Sequence, residues 1–161
     1  MLPLRSLMAG TAFVAIAATA QHALAKTPRP AESESVERGR YLAKIAGCND
    51  CHTPGYADAG GKVPEKQWLI GDQLGMRGPW GTTYPSNLRL SMQKLTEAQW
   101  VKLAKTTQFR PPMPWFALRD MTAPDLRAIY RFIKYLGPAG ELAPAFVPPG
   151  QEPKGPYILF P

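Results

Sequence analysis

The feature that most constrains the fold is a long stretch, residues 53–95, in which glycine and proline are frequent and no hydrophobic periodicity persists. A loop of this length is uncommon in a compact domain unless something orders it. Its large apolar side chains are suited to packing against a flat apolar ring: Trp68, Leu69, Ile70, Trp80 and Leu88. The sequence therefore predicts a large buried cofactor here, and a mobile segment without one.

Three other stretches carry helical periodicity. The first begins near Ser33 or Ser35 and ends where the cysteines begin; the second begins at Thr96 with a capping box and stops at Pro111; the third runs from Thr122 to Gly137. In each stretch a set of residues is spaced to lie on one face of a helix. These are Val36, Gly39, Leu42, Ala43 and Ala46 in the first, Trp100, Leu103, Ala104 and Thr107 in the second, and Leu126, Ile129, Tyr130, Ile133 and Leu136 in the third. The sequence thus predicts three amphipathic helices.

The first 25 residues are typical of an export signal, because Arg5 precedes an apolar run and Ala23-Leu24-Ala25 offers small residues for cleavage. The run is shorter than the roughly 20 residues that a membrane span needs. We expect cleavage after Ala25 and a soluble, periplasmic protein. Residues 26–137 then suit one domain.

The segment 138–161 holds seven of the 18 prolines, which excludes regular helix and favours an extended tail. Its apolar cluster Tyr157-Ile158-Leu159-Phe160 is unfavourable in water. We expect the tail to pack on the domain or on a partner.

A formal charge of +7 makes the chain basic. Lysine and arginine are spread along helix faces and do not alternate with stacking aromatic residues, so nucleic acid is not a predicted partner. A basic surface steers a protein toward an acidic docking surface on a partner, or toward an anionic membrane that it binds peripherally.

The residues Cys48-Asn49-Asp50-Cys51-His52 carry the chemistry. Covalent attachment of haem needs two thiols near the two vinyl groups and an axial nitrogen beside them, and this spacing supplies all three. His22 lies in the signal segment, so His52 is the one imidazole left to hold the iron. The sequence predicts one haem c, bonded to Cys48 and Cys51.

Three other interpretations of the cysteines fit less well. A structural zinc site generally needs four Cys or His ligands, and the mature chain has three. A thioredoxin-like pair is expected near a strand-helix-strand pattern, whereas a helix precedes Cys48. A structural disulfide suits export but gives His52 no role.

A methionine is the expected sixth ligand, because a neutral thioether favours electron transfer over oxygen chemistry. Met113 is favoured, since its neighbouring prolines forbid helix and suit a rigid strap over the haem face. Met76, between glycines, is the second choice; Met121 directly precedes a helix cap and is expected to be a packing residue, and Met92 lies near the start of the second helical stretch.

With these motifs the chain resembles the class I c-type cytochromes, in particular the single-haem domains of carriers and of cytochrome subunits of membrane-associated bacterial dehydrogenases. The likeness covers most of residues 34–137. It rests on the helix before the cysteines, on Cys48-Asn49-Asp50-Cys51-His52, on Gly78-Pro79-Trp80-Gly81 with Ser86-Asn87-Leu88, on Pro112-Met113-Pro114 and on the last helix.

The resemblance implies an all-α cytochrome c fold of three to five helices around the haem, with His52 proximal and Met113 distal. It implies that the first and last helices cross at Gly39, near Tyr130 or Ile133. The segment around Tyr84 and Asn87 is similar to the loop on the propionate side. In place of a longer acidic stretch, residues 89–94 are short and basic.

The predicted function is one-electron transfer by an exported carrier that is not itself an enzyme. Its partners would be redox proteins such as a dehydrogenase, a respiratory complex or a terminal oxidase. The main alternative is an electron-relay subunit of a membrane-associated dehydrogenase complex. A further alternative is a gas-binding or sensing haem protein with an open sixth position.

Overall fold

The computed structural model describes residues 30–161; the predicted signal segment, His22 and the cleavage point after Ala25 lie outside the described residues. The α-helices are α1 (Pro30–Ile45), α2 (Cys48–His52), α3 (Leu88–Ser91), α4 (Glu97–Thr106), α5 (Trp115–Asp120) and α6 (Ala123–Leu136), and the strands are β1 (Gly75–Gly78), β2 (Gly81–Thr83) and β3 (Tyr157–Leu159). Within residues 30–161 no helix combines the length and the apolar character needed to cross a membrane.

The helix α1 crosses α6 at Gly39, which confirms the predicted crossing. A Cβ atom at Gly39 would lie 2.1 Å from the carbonyl oxygen of Ala128 and 2.7 Å from Cβ of Phe132, so only glycine permits this approach. The α6 residues nearest to Gly39 are Ala128 and Phe132, and the packing of Tyr130 or Ile133 near it stays a prediction. Ala128 and Phe132 are four residues apart and share one face of the helix, and that face meets Gly39.

The ends of the predicted helices agree with the structure where a cap defines them. Thr96 forms the expected capping box before α4, and the Thr122 side chain caps α6, which ends at Gly137. The first helix begins earlier than predicted, at Pro30, a residue suited to the first helical turn. The second ends earlier, because Thr107 is already extended.

The core lies between these helices and one part of the long loop. Phe132, Leu126 and Ile133 of α6 are fully buried, and Trp100 of α4 donates its indole N–H to the carbonyl of Leu126 at 2.8 Å. The loop residue Trp68 is buried too and meets the Phe132 ring edge to face, at 6.2 Å between centroids. Trp68 therefore packs against the helices of its own chain.

The strands form a small sheet in the order β2-β1-β3, so the all-α prediction was incomplete. Strand β1 pairs antiparallel with β2 and parallel with β3, and Met76 is aligned with Thr83 on one side and Ile158 on the other. The strands are three or four residues long, too short for an alternating pattern, and β1 and β2 also contain glycine. One of them comes from the tail, which no local pattern reveals.

The tail covers the long loop along much of its length. Val147 forms a backbone bridge with Thr82, and Phe160 packs its ring against Trp80 with 6.1 Å between centroids. The side chains of Tyr157, Ile158 and Leu159 stay exposed, and β3 is held by its backbone pairing and by the Arg77 guanidinium over the Tyr157 ring. The tail thus supplies part of the ordering that the sequence assigned to a cofactor alone.

Candidate functional site

The two cysteines and the histidine of the motif share the short helix α2. Gly47 precedes it in the left-handed conformation, with φ of 71°, and so turns the chain between α1 and α2. Residues three apart lie on the same side of a helix, which puts Cys48 and Cys51 side by side. Both are free thiols and both are partly buried.

Burial favours the protonated form of these thiols. It raises the pKa of Cys48 to about 11, with a smaller contribution from the charge of Asp50. Burial also raises the pKa of Cys51, again with Asp50 acting in the same direction. Both residues are therefore neutral thiols near pH 7.

His52 is buried, and its ring orientation is fixed by one hydrogen bond. Its Nδ1 lies 2.7 Å from the carbonyl oxygen of Ser86. Because a carbonyl only accepts, Nδ1 carries the proton and Nε2 keeps its lone pair. Burial lowers the pKa of His52, against the opposing effect of the Ser86 carbonyl, so the ring is neutral and its Nε2 could hold a metal.

The backbone around His52 is tied to the long loop. The Gly71 N–H donates to the His52 carbonyl at 2.9 Å. The Thr53 hydroxyl accepts from the Leu69 N–H at 2.8 Å, and the carbonyl of Leu69 in turn accepts from Leu88 at 3.0 Å. These bonds connect α2 with the start of α3.

Several buried polar atoms have no hydrogen-bond partner among residues 30–161: Nδ2 of Asn49, Nε1 of Trp80 and the hydroxyls of Thr82 and Thr83. Three of them lie within four consecutive residues just before Ser86. A buried donor without an acceptor costs about 1–3 kcal/mol, so a ligand that accepts these bonds is favoured. A group that combines an apolar ring with carboxylates, as haem does, would suit these donors together with the imidazole and the two thiols of α2.

The structure places the four candidate methionines in different surroundings. Met113 lies in the turn between α4 and α5, where it is half-buried and packs, like Cys48, against the core. Met92 is 1% exposed inside the core, and Met121 also packs there. Met76 lies on β1 and is half-buried. No group of three or more His, Cys, Asp or Glu side chains suited to a metal ion occurs in the described part of the chain.

Sequence reasoning missed two residues that orient His52. Ser86 contributes through its backbone carbonyl, and Gly71 contributes through its N–H and the absence of a side chain. A backbone group leaves no mark in the residue type. Gly71 is one of 14 glycines, and nothing in the sequence separates it from the others.

The chain is similar in sequence to several subunits of dehydrogenases. The chain is 31% identical over 117 residues to the cytochrome subunit of fructose dehydrogenase from Gluconobacter japonicus, covering 66% of this chain and 22% of that protein. It is 29% identical over 144 residues to the cytochrome c subunit of alcohol dehydrogenase (quinone) from Gluconacetobacter polyoxogenes, covering 82% and 27%. A nicotinate dehydrogenase subunit from Pseudomonas putida is 28% identical over 122 residues, covering 68% and 9%.

These matches relate the chain distantly to cytochrome c-type subunits of dehydrogenases. The chain spans about a quarter of the length of the first two relatives, 22% and 27%. No protein-family model matches the chain, and no solved structure matches it significantly.

Proposed function

We propose that this chain is a haem c electron-relay subunit of a dehydrogenase complex. The observation that carries the proposal is the buried His52, whose ring is oriented by Ser86 and which adjoins the free thiols of Cys48 and Cys51. The similarity to cytochrome subunits of dehydrogenases favours a relay within a complex over a free carrier.

The residues of α2 would attach and orient the cofactor. Cys48 and Cys51 would each hold the haem through a carbon–sulfur bond, made by adding the thiol S–H across a vinyl C=C bond, so no oxidant would be needed. His52 would hold the iron through the Nε2 lone pair, while its Nδ1–H is bonded to the Ser86 carbonyl. Bound haem supplies a one-electron Fe(III)/Fe(II) couple.

Met113 is the proposed second axial ligand. It is half-buried, precedes α5, and is followed by Pro114, which cannot donate a backbone hydrogen bond. A thioether ligand raises the reduction potential and closes the sixth position to oxygen. Met92 is proposed to be a core residue instead, because its side chain is already enclosed by protein.

The unpartnered donors of the segment 80–83 are proposed to bind the haem propionates. Nε1 of Trp80 and the hydroxyls of Thr82 and Thr83 are buried without an acceptor in residues 30–161. A carboxylate accepts several such bonds and removes the cost of leaving them unmade. This role adds Trp80 to the loop that the sequence assigned to Tyr84 and Asn87.

Export is proposed as well, with residues 1–25 removed before or during maturation. Covalent haem attachment and a signal-like segment in one chain are consistent with a periplasmic protein. Intact-mass measurement of the purified protein tests this, because cleavage after Ala25 gives a chain that begins at Lys26. A mature protein that retains Met1 would contradict it.

Expression in a host with cytochrome-maturation machinery tests the cofactor. A pyridine haemochrome spectrum typical of two thioether bonds and a mass increase of one haem are expected. The variants Cys48→Ala and Cys51→Ala should each lose one thioether, whereas Met121→Ala should keep both. Colourless, iron-free wild-type protein would refute the proposal.

The Met113 ligand is tested by the weak absorption band that a methionine sulfur gives on ferric haem. Met113→Ala should lose that band and bind carbon monoxide in the ferrous state, while Met121→Ala and Met76→Ala should keep it. A band that survives in Met113→Ala would assign the ligand to another methionine.

The relay role is tested in the native host. A tagged chain should copurify with the catalytic subunit of a dehydrogenase, and the substrate of that dehydrogenase should reduce the haem in the purified complex. Haem-loaded chain that purifies alone, and that no copurifying dehydrogenase reduces, would favour the free carrier.

A further inference from the structure

The position of the Ser86 carbonyl depends on the residue that follows it. Ser86 itself is exposed, and its carbonyl accepts the Nδ1–H of His52. Asn87 is buried, with 2% of its surface exposed. Whatever holds Asn87 therefore also holds the group that orients His52.

The side chain of Asn87 makes three hydrogen bonds in two directions. Its Oδ1 accepts from the N–H of Leu90 at 3.0 Å and so caps α3. Its Nδ2 donates to the carbonyl of Ala139 at 2.8 Å and to that of Glu141 at 3.0 Å. Both amide hydrogens are thus used by the tail, more than 50 residues away in sequence.

The opposite side of this segment is held by Gly71. A Cβ atom at Gly71 would lie 2.7 Å from the backbone nitrogen of Asn87 and 2.8 Å from the carbonyl oxygen of Pro85. The same Gly71 donates its N–H to the carbonyl of His52. Residues 85–87 are therefore enclosed between the backbone that carries His52 on one side and the tail on the other.

We propose that Asn87 is a positioning residue through which the tail sets the strength of the His52 ligand. This inference rests on the proposed haem ligation by His52. A short Nδ1–H···O=C bond makes Nε2 a stronger donor, which stabilises Fe(III) and lowers the reduction potential. When the tail releases Asn87, the Ser86 carbonyl gains freedom, the bond weakens and the potential rises.

The first test replaces Asn87 by a residue that still caps α3 but no longer forms hydrogen bonds to the tail. In Asn87→Ser the hydroxyl still caps α3 but is too short to reach Ala139 and Glu141, and no charge is introduced. The control is Thr96→Ala, which removes the cap of α4 in another part of the molecule. Asn87→Ser should favour Fe(II) by up to about tenfold, or about 59 mV for one electron, and Thr96→Ala should leave the potential unchanged.

The second test leaves Asn87 intact and displaces the tail. Gly140 has a positive φ of 72°, and a Cβ there would lie 3.1 Å from Nδ2 of Asn87 and 3.0 Å from Cβ of Ile70. Gly150 also has a positive φ, of 82°, but a Cβ there meets nothing within 4 Å. The two substitutions carry a similar backbone cost, and only Gly140→Ala touches Asn87.

The haem-loaded proteins are compared by redox titration and by the electron paramagnetic resonance of the ferric state, which reports the orientation of the axial ligands. Gly140→Ala should raise the potential and shift the resonance, whereas Gly150→Ala should do neither. Unchanged potentials in both Asn87→Ser and Gly140→Ala, with haem attached, would overturn the inference and leave the proposed function standing. Failure of the wild type to bind haem would instead refute the proposed function, and the two failures are distinct.

Discussion

The molecule contains two regions that are stabilised in different ways. The helical body, made of α1, α4 and α6, is held by side-chain packing around Phe132, and its crossing point at Gly39 follows from an amphipathic pattern. The loop-tail region, residues 70–89 and 138–161, is held by backbone hydrogen bonds, by glycines where two backbones meet, and by a few side-chain contacts such as that of Asn87 with the tail. The comparison teaches that the orientation of His52, the proposed ligand, depends on the second region, although the first provides most of the core.

Arg89 joins the two regions. Its buried guanidinium donates to the carbonyls of Leu136 and Gly137 at the end of α6 and to that of Lys66 in the long loop at 2.7 Å. Burial of the guanidinium lowers the pKa of Arg89. A positive charge at the C-terminal end of a helix is favourable, and here it also fixes the loop against α6.

The largest expected effect comes from the crossing point of the helical body. Gly39→Ala should reduce the free energy of unfolding by about 3 kcal/mol, because the new methyl group overlaps the backbone of Ala128 and forces the helices apart. Chemical denaturation measures the loss. Gly155→Ala is the control, since a Cβ there meets only the carbonyl oxygen of Gln73 at 3.9 Å. Equal stability of the two variants would show that the crossing is not tightly packed.

A smaller loss is expected where the two regions meet. Arg89→Lys keeps the charge but cannot serve all three carbonyls, and should cost about 2 kcal/mol of unfolding free energy. Hydrogen exchange should increase both at the end of α6 and around Lys66. Increased exchange at only one of these sites would mean that Arg89 does not couple the regions. Lys102→Arg, on the exposed face of α4, is the control.

A third substitution tests whether the loop-tail region can unfold locally while the helical body stays folded. Gly81 has φ of 100°, and a Cβ there would lie 2.3 Å from the carbonyl oxygen of Val147. Gly81→Ala should cost about 1 kcal/mol in global stability. Amide exchange should rise at Thr82 and Val147, while Phe132 and its neighbours stay protected. Loss of protection throughout α6 would show that the two regions unfold together.

The smallest effect concerns acid stability of the body. The Arg38 guanidinium, 3.0 Å from the carboxylate, and the Thr122 hydroxyl lower the pKa of Asp125 from 3.8. This pair therefore contributes stability above about pH 4, and the contribution is lost as the pH falls through the lower folded-state pKa. Asp125→Asn should reduce the free energy of unfolding by about 0.5 kcal/mol or less at pH 7, because the pair is solvent-exposed. The free energy of unfolding of this variant should also decrease less steeply as the pH falls below about 4.

Denaturation at several pH values checks this last effect. Asp58→Asn, in an exposed turn, should leave the free energy of unfolding unchanged, both at pH 7 and in its decrease at acid pH. If the stability of Asp125→Asn decreases at acid pH as steeply as that of the wild type, the acid sensitivity belongs to another group.

The sequence predicted those parts of the fold that depend on neighbours along the chain. Thr96 and Thr122 marked the starts of α4 and α6, because a cap is a local hydrogen bond. The sheet was missed, since β1 pairs with a tail strand whose residues are distant in sequence. The site residues Cys48, Cys51, His52 and Met113 stay predictions that the experiments above test.

By itself the sequence determined the amphipathic helices, the adjacency of two thiols to an imidazole, and the unusual length of the loop. Each of these follows from residue types at fixed spacing. Only the tertiary structure decided that Ser86 accepts the hydrogen bond of His52, that Asn87 ties this segment to the tail, and that Arg89 fixes the loop to α6. These contacts end on backbone carbonyls, which every residue carries, so their partners are chosen by the path of the chain.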